Sequence, residues 1–120
     1  MTEKELAQER RKQLRLEKLG TNEPRCGICG YDRWQAIEEH HVAGRQYDHV
    51  TVKLCRNCHR VASDAQCDHP KAAEPGDPAL FAIGRFLLGL ADMLRVIVDR
   101  LFAFGQEITA RAATPAECRS

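Results

Sequence analysis

Apolar residues recur every seven positions in the C-terminal third of the chain, and this is the longest regular pattern in the sequence. One series consists of Leu80, Leu87, Leu94, Leu101 and Ile108. A second series, three places later, consists of Ile83, Leu90, Ile97 and Phe104. Two series with this offset occupy the a and d positions of a heptad repeat. The pattern therefore predicts an amphipathic helix over residues 79–110.

The charged residues of this helix are expected to mark its outer, solvent-facing side. They are Arg85, Asp92, Arg95, Asp99 and Arg100. Gly84, Gly89 and Gly105 would permit the close approach of another backbone. The apolar face could pack on the rest of the chain, pair with its copy in a homodimer, or lie on a membrane. Because the rest of the chain is small, a homodimer through residues 79–110 is favoured. The membrane ranks last, since the polar face is not strongly basic.

The first 20 residues predict a charged helix. Thr2 and Glu5 have the spacing of a capping box, and Gly20 stands where a helix C-terminus is expected. Five basic residues could form a face against phosphate, namely Arg10, Arg11, Lys12, Arg15 and Lys18. Glu9 and Glu17 lie among them, which favours an ordinary solvated helix.

Residues 21–66 predict a small α+β unit. Residues 34–42 are expected to be extended, and residues 50–54 alternate in polarity and are rich in β-branched side chains, which predicts a second strand. Residues 60–66, which come after the segment 55–59, are expected to be helical. A proline-rich linker at 67–78 then leads to the heptad helix, and a tail at 111–120 has no strong pattern.

Composition and the first residues indicate where the protein is located and how it could bind nucleic acid. The 120 residues carry a formal net charge of +1, so any basic surface for nucleic acid must be local. Met1 is followed by a charged run, which does not resemble a signal peptide, and no uncharged apolar run reaches the ~20 residues of a membrane span. A cytoplasmic location is expected. In that compartment the thiols of the six cysteines stay reduced, and clustered cysteines are more often metal ligands than disulfides.

Four of the cysteines form two Cys-x-x-Cys pairs, here called the zinc knuckles. They are Cys26 with Cys29 and Cys55 with Cys58. A two-residue gap lets two thiolates bind one metal from a turn, and two such turns complete a tetrahedral site, so a structural Zn²⁺ is predicted. Disulfides or free thiols are the alternatives. Cys67, His69 and Cys118 lie outside this set and are interpreted as incidental.

Between and after the knuckles lies a set of histidines in a recognisable order. His40-His41-Val42 precedes the second strand, and Leu54-Cys55-Arg56-Asn57-Cys58-His59 closes the segment. Together with the first knuckle, this order over residues 24–66 resembles the small, zinc-containing members of the HNH endonuclease family. The resemblance implies a ββα-metal core and hydrolysis of phosphodiester bonds, with DNA as the expected partner. It further implies that His40 and His59 bind a catalytic Mg²⁺, Mn²⁺, Ni²⁺ or Zn²⁺ and that His41 is the general base.

Phosphodiester hydrolysis explains these residue types. Imidazole titrates near neutral pH and can accept a proton from water, while a cation neutralises charge on the phosphate. Arg45 is a candidate contact to the scissile phosphate, with a solvent-facing loop arginine as the alternative. Glu38 and Glu39 flank the histidines and are interpreted as ordinary strand carboxylates. Neighbouring strand residues face opposite sides, so His40 and His41 would need a bend or bulge to serve one site.

The sequence departs from the family pattern at one position. The middle Asn of the motif is absent from the loop before the second strand, where Asp48 and His49 stand instead and could replace it. Asn57 lies inside the knuckle and is misplaced for this role. Two alternatives to the nuclease therefore stay open. One is a catalytically degenerate zinc module that binds nucleic acid or protein, and the other is an assembly protein whose long helix carries the function.

Overall fold

A computed structural model describes residues 1–72 and 76–113 and has an α+β architecture with three α-helices and a two-stranded antiparallel sheet. The elements in chain order are α1 (Glu3–Leu19), a 3-10 turn (Trp34–Ala36), β1 (Ile37–His41), β2 (Thr51–Cys55), α2 (Arg56–Gln66) and α3 (Pro78–Ala112). The predicted linker 67–78 and tail 111–120 extend beyond the described residues, and Cys118 lies outside them.

The predicted caps of α1 are confirmed. The hydroxyl of Thr2 accepts a hydrogen bond from the Glu5 N–H, and the Glu5 carboxylate accepts one from the Thr2 N–H at 2.8 Å. Gly20 ends the helix in the left-handed conformation at φ 73°, which a side chain rarely adopts. Arg15, a member of the predicted basic face, donates to the Ile37 carbonyl at 2.6 Å. Its guanidinium therefore anchors α1 to the start of β1.

The hairpin of β1 and β2 is regular and runs straight into α2. Five consecutive residue pairs join the strands, from Ile37 opposite Cys55 to His41 opposite Thr51. Ile37 on β1 and Leu54 on β2 are fully buried. Cys55 ends β2 and also caps α2, since its Sγ accepts the Cys58 N–H. The second zinc knuckle is therefore the joint between strand and helix.

Helix α3 packs on this core through a backbone contact at Gly89. A Cβ built on Gly89 would lie 1.7 Å from the Val42 carbonyl oxygen, far inside contact distance. The predicted close approach of another backbone is confirmed at this glycine. The approach fixes α3 against the end of β1, next to the histidine segment.

Gly89→Ala is expected to lower the free energy of unfolding by about 3 kcal/mol, because the added methyl must push α3 away from the Val42 backbone. Chemical denaturation of the zinc-loaded protein measures the change. Gly84→Ala is the matched control, since a Cβ at this position meets nothing within 4 Å. It should not destabilise the protein, because alanine is a better helix former than glycine. Equal stability of the two variants would contradict this packing.

The prediction that Arg85 and Asp92 mark the outer side of α3 is wrong. Their exposed fractions are 8% and 9%, and both face the core. Arg85 donates to the carbonyls of Ala43, Gln66 and Pro70 at 3.1, 3.4 and 3.3 Å. The last carbonyls of a helix lack partners within it, and a guanidinium at the end of α2 supplies donors and a favourable charge. The Arg85 side chain is therefore buried because it hydrogen-bonds these three carbonyl groups, instead of being hydrated at the surface.

As a result the apolar heptad face of α3 points to solvent. Leu80, Leu87, Leu94 and Leu101 are 53–65% exposed. The helix packs on its own core through the opposite side, which carries Arg85. Among residues 1–72 and 76–113 the heptad face is not packed on the rest of the chain, which was one of the three uses considered from the sequence. No helix in the described part of the chain is long and apolar enough to cross a membrane.

Candidate metal centre and histidine cluster

The four knuckle cysteines converge on one point. Their Sγ atoms all lie within 4.8 Å of one another, and Cys29 Sγ is 3.6 Å from Cys55 Sγ. Tetrahedral Zn²⁺ with Zn–S bonds of about 2.3 Å separates its sulfurs by about 3.8 Å. The cluster therefore fits a structural metal such as zinc. Within residues 1–72 and 76–113 it is the sole group of three or more His, Cys, Asp or Glu side chains whose ligand atoms come together in this way.

The two knuckles are built by the same local contact. The Cys29 N–H points at Cys26 Sγ and the Cys58 N–H at Cys55 Sγ, each at 3.5 Å. The turn of the first knuckle closes at Gly30, whose φ is 76°. N–H groups directed at sulfur stabilise its thiolate form, which is the form that binds metal.

Three thiols of the cluster have shifted pKa values, and the shifts differ in direction. Burial raises the pKa of the Cys29 and Cys58 thiols. Burial acts the same way on Cys26, but backbone N–H groups of the two knuckles outweigh it and lower the pKa of Cys26 to about 6. Arg100 from α3 donates to Cys58 Sγ at 3.6 Å. The Cys26 thiolate thus forms readily, while metal binding would favour deprotonation of Cys29 and Cys58.

Two of the predicted site histidines meet beside the hairpin. His40 on β1 and His59 in the first turn of α2 have ring centroids 5.2 Å apart, in an edge-to-face arrangement. His59 Nδ1 lies 3.1 Å from a carboxylate oxygen of Glu38. Glu38 and His40 are two residues apart on a regular strand, so their side chains share one face. The three side chains form what we call the histidine cluster.

His40 is the most enclosed member of the histidine cluster, with 1% of its surface exposed. Burial, followed by the nearby His59 and His41 rings, lowers the pKa of His40 to about 4, against a smaller opposing effect of Asp92. His40 is therefore neutral at pH 7. Its Nε2 lies 3.3 Å from Nε2 of Gln66.

Gln66, at the end of α2, ties the helix to the strand that carries the histidines. Its amide nitrogen donates to the carbonyls of His41 and Val42 at 2.7 and 2.9 Å. The sequence reasoning missed this residue, because nothing in its local pattern shows that the last turn of α2 returns to the end of β1.

The remaining predicted residues lie apart from the histidine cluster. His41 is half-buried, and because β1 has no bulge its side chain is on the opposite strand face from His40. Arg45 and His49 are exposed in the loop between the strands. Asp48 accepts the His49 N–H at 2.6 Å, a local turn contact. The bend that would unite His40 and His41 on one face is absent from β1.

An open groove runs beside His59 along the outer face of α2. It has a volume of about 570 Å³ and is lined by Glu38, Arg56, His59, Arg60, Ser63, Asp64 and Cys67. Arg56 and Arg60 are one helical turn apart and both exposed. The sequence analysis did not single out these arginines, because it predicted helix only from residue 60 onward, whereas α2 begins at Arg56 and gives the pair an i, i+4 spacing.

His69 was interpreted from the sequence as incidental, but in the fold it has a buried partner. Its Nε2 lies 2.5 Å from a carboxylate oxygen of Asp92, and both side chains are largely buried. The pair links the segment after α2 to α3. Its partner is 23 residues away in sequence, so no local motif reveals it.

Comparison of the chain with models of known families, with curated proteins and with solved structures finds no match.

Proposed function

We propose that this chain is a metal-dependent endonuclease of the HNH type that hydrolyses DNA phosphodiester bonds. One observation carries the proposal. A hairpin runs directly into a helix and brings His40 and His59 to a ring separation of 5.2 Å, with Glu38 against His59. That is the strand, strand and helix order of a ββα-metal core, held at its joint by a zinc knuckle.

In this proposal His40 and His59 would bind the catalytic divalent cation. Glu38 would join them as a carboxylate ligand only after a side-chain movement, because these three side chains are not gathered around one point as the four cysteines are. Neutral imidazole is the ligating form, and the lowered pKa of His40 keeps it in that form. Such a cation would neutralise the charge that develops on the phosphate during hydrolysis. Mg²⁺, Mn²⁺, Ni²⁺ and Zn²⁺ are all candidates.

The groove beside His59 would receive the DNA backbone. Arg56 and Arg60 line the groove together with His59, and guanidinium suits bidentate contact with phosphate. Glu38 and Asp64 also line it, so the arginines would contact phosphate as individual groups rather than as a basic patch.

His41 is assigned as the general base, a role that requires the end of β1 to bend when DNA binds, because the regular strand directs the His41 side chain away from the face that carries His40. It is half-buried rather than enclosed, whereas His40, with a pKa near 4, would be a weak base at neutral pH. His41 would take the proton of the attacking water as the bond from phosphorus to the leaving oxygen breaks. Asp48 or His49 would stand in for the missing Asn, and Arg45 would contact phosphate from the loop.

The second candidate is a zinc-binding module without catalysis that binds nucleic acid or protein. The enclosure of His40 favours it, since a side chain with 1% exposure and Gln66 at 3.3 Å has little room for a cation open to substrate. In that case the groove arginines would bind phosphate and no bond would be cut.

Cleavage of labelled oligonucleotides distinguishes the two candidate functions. Zinc-loaded protein with Mg²⁺, Mn²⁺ or Ni²⁺ is expected to cut a DNA duplex, and His59→Ala should slow cutting by about 10²-fold or more. Gln46→Ala, an exposed loop change, is the control and should cut normally. Single-stranded DNA and RNA of the same sequence define the substrate. Binding without cutting by the folded protein would favour the non-catalytic module.

A further inference from the structure

The exposed heptad face of α3 has no partner within the described part of the chain. We call it the heptad stripe; it consists of Leu80, Ile83, Leu87, Leu90, Leu94, Ile97, Leu101, Phe104 and Ile108. All but Ile97, which is half-buried, are 37–65% exposed. Monomeric proteins rarely leave a contiguous apolar patch larger than a few hundred Å² in water.

Residues 1–72 do not cover the heptad stripe, because α3 is bound to them by its other side. Gly89 is in backbone contact with Val42. Arg85 donates to the Ala43 carbonyl, and Asp92 pairs with His69. Arg85 and Asp92 occupy the heptad position most distant from a and d. The core therefore holds the polar side and presents the apolar side outward.

The C-terminal third of α3 gives a second, independent reason for a partner. Every residue from 101 to 113 is exposed, so this segment extends beyond the core. It includes Leu101, Phe102, Phe104 and Ile108, each 59–65% exposed. An isolated helix of about 12 residues is marginal in water, and its stability normally comes from packing of its apolar face.

We propose that a second copy of this chain covers the heptad stripe and that the protein is a homodimer through α3. The stripe spans about four heptads, and its side chains offer on the order of 800 Å² per copy, which is the share that each partner contributes to a standard stable interface. A heptad seam is self-complementary, so one surface serves both copies in a symmetric dimer.

The charges near the stripe argue against a membrane as the occupant. Arg95, Asp99, Arg100 and Glu107 alternate in sign along the exposed part of α3. A helix that lies on an anionic membrane carries a strongly basic polar face instead. Mixed charges are compatible with a second helix of the same sequence.

Sedimentation of the full zinc-loaded chain tests the dimer. The expected mass is twice the 13.5 kDa of one chain, falling to one chain when Leu87→Glu and Leu94→Glu are combined. Ala103→Glu places the same charge on exposed helix outside the stripe and should leave the dimer intact. Zinc content of one ion per chain verifies that the double variant keeps its core.

Three results would overturn the proposal. They are a wild-type mass of one chain at micromolar concentration, a dimer that survives the double substitution with zinc bound, and binding of a monomer to anionic lipid vesicles that the double substitution abolishes. The last result would assign the stripe to a membrane surface. None of these outcomes depends on cleavage of DNA, so the dimer and the nuclease are tested separately.

Discussion

Replacing Cys58 by Ser, or removing zinc with a chelator, is expected to unfold the central part of the chain. The buried core beneath the hairpin is small, and Cys58 is 2% exposed within it. Metal binding to such clusters contributes about 10–16 kcal/mol in zinc-finger peptides, which exceeds the stability of most small domains. Loss of the metal should therefore abolish cooperative unfolding and reduce the helical circular dichroism.

Cys67→Ser supplies the matched control for this prediction. Cys67 is an exposed free thiol after α2 and lies outside the four-sulfur cluster. Its replacement should leave one zinc per chain and an unchanged unfolding transition. If Cys58→Ser and Cys67→Ser lost zinc equally, or if neither lost it, the assignment of the cluster as a structural zinc site would fail.

His41→Ala is expected to slow DNA cleavage by about 10²–10⁴-fold with little change in stability. Cleavage should slow because His41 is proposed to accept the proton of the attacking water. Stability should change little because the half-buried side chain makes no hydrogen bond within residues 1–72 and 76–113. Initial rates on a labelled duplex measure the effect.

Binding measurements separate a base from a metal ligand. His41→Ala should bind Mn²⁺ and DNA as tightly as the unaltered chain, because it removes only the proton acceptor. His59→Ala should weaken Mn²⁺ binding, since His59 sits with Glu38 in the histidine cluster. Weakened metal binding in His41→Ala would assign that residue to the ligand set, and normal cutting by it would remove His41 from the mechanism.

Features with a short-range cause were predicted well from the sequence. The Thr2 and Glu5 cap depends on residues three apart, and each knuckle turn on a gap of two. Geometry of this kind is nearly independent of the rest of the fold. The gathering of Cys26 and Cys55 into one cluster needed the hairpin as well, which the β-branched residues of the second strand indicated.

The orientation of α3 could not be predicted, although its helical pattern could. A heptad repeat shows which side chains share a face, but it does not show which face meets the core. That choice was decided by the absence of a side chain at Gly89 and by carbonyl groups near Arg85, which only the folded loops bring together. A charged residue was read as solvent-facing, whereas here it closes the end of α2.

The histidines lie between these two cases. The resemblance of residues 24–66 to a known family singled out His40 and His59, which the fold brings together. Their immediate partners, Glu38 and Gln66, were undervalued or missed, because a strand carboxylate and a helix-end amide are common in positions without a role.

Cleavage of supercoiled plasmid DNA by the zinc-loaded protein, with Mg²⁺, Mn²⁺ or Ni²⁺ added in turn, tests the proposed nuclease most directly. A nuclease with its base at His41 will convert the plasmid to nicked or linear forms only when the cation is present, and His41→Ala will not. Intact plasmid under every cation, from wild-type protein shown to be folded and zinc-loaded, would contradict the nuclease. It would leave a zinc module in which Asp48 and His49 fail to replace the missing Asn.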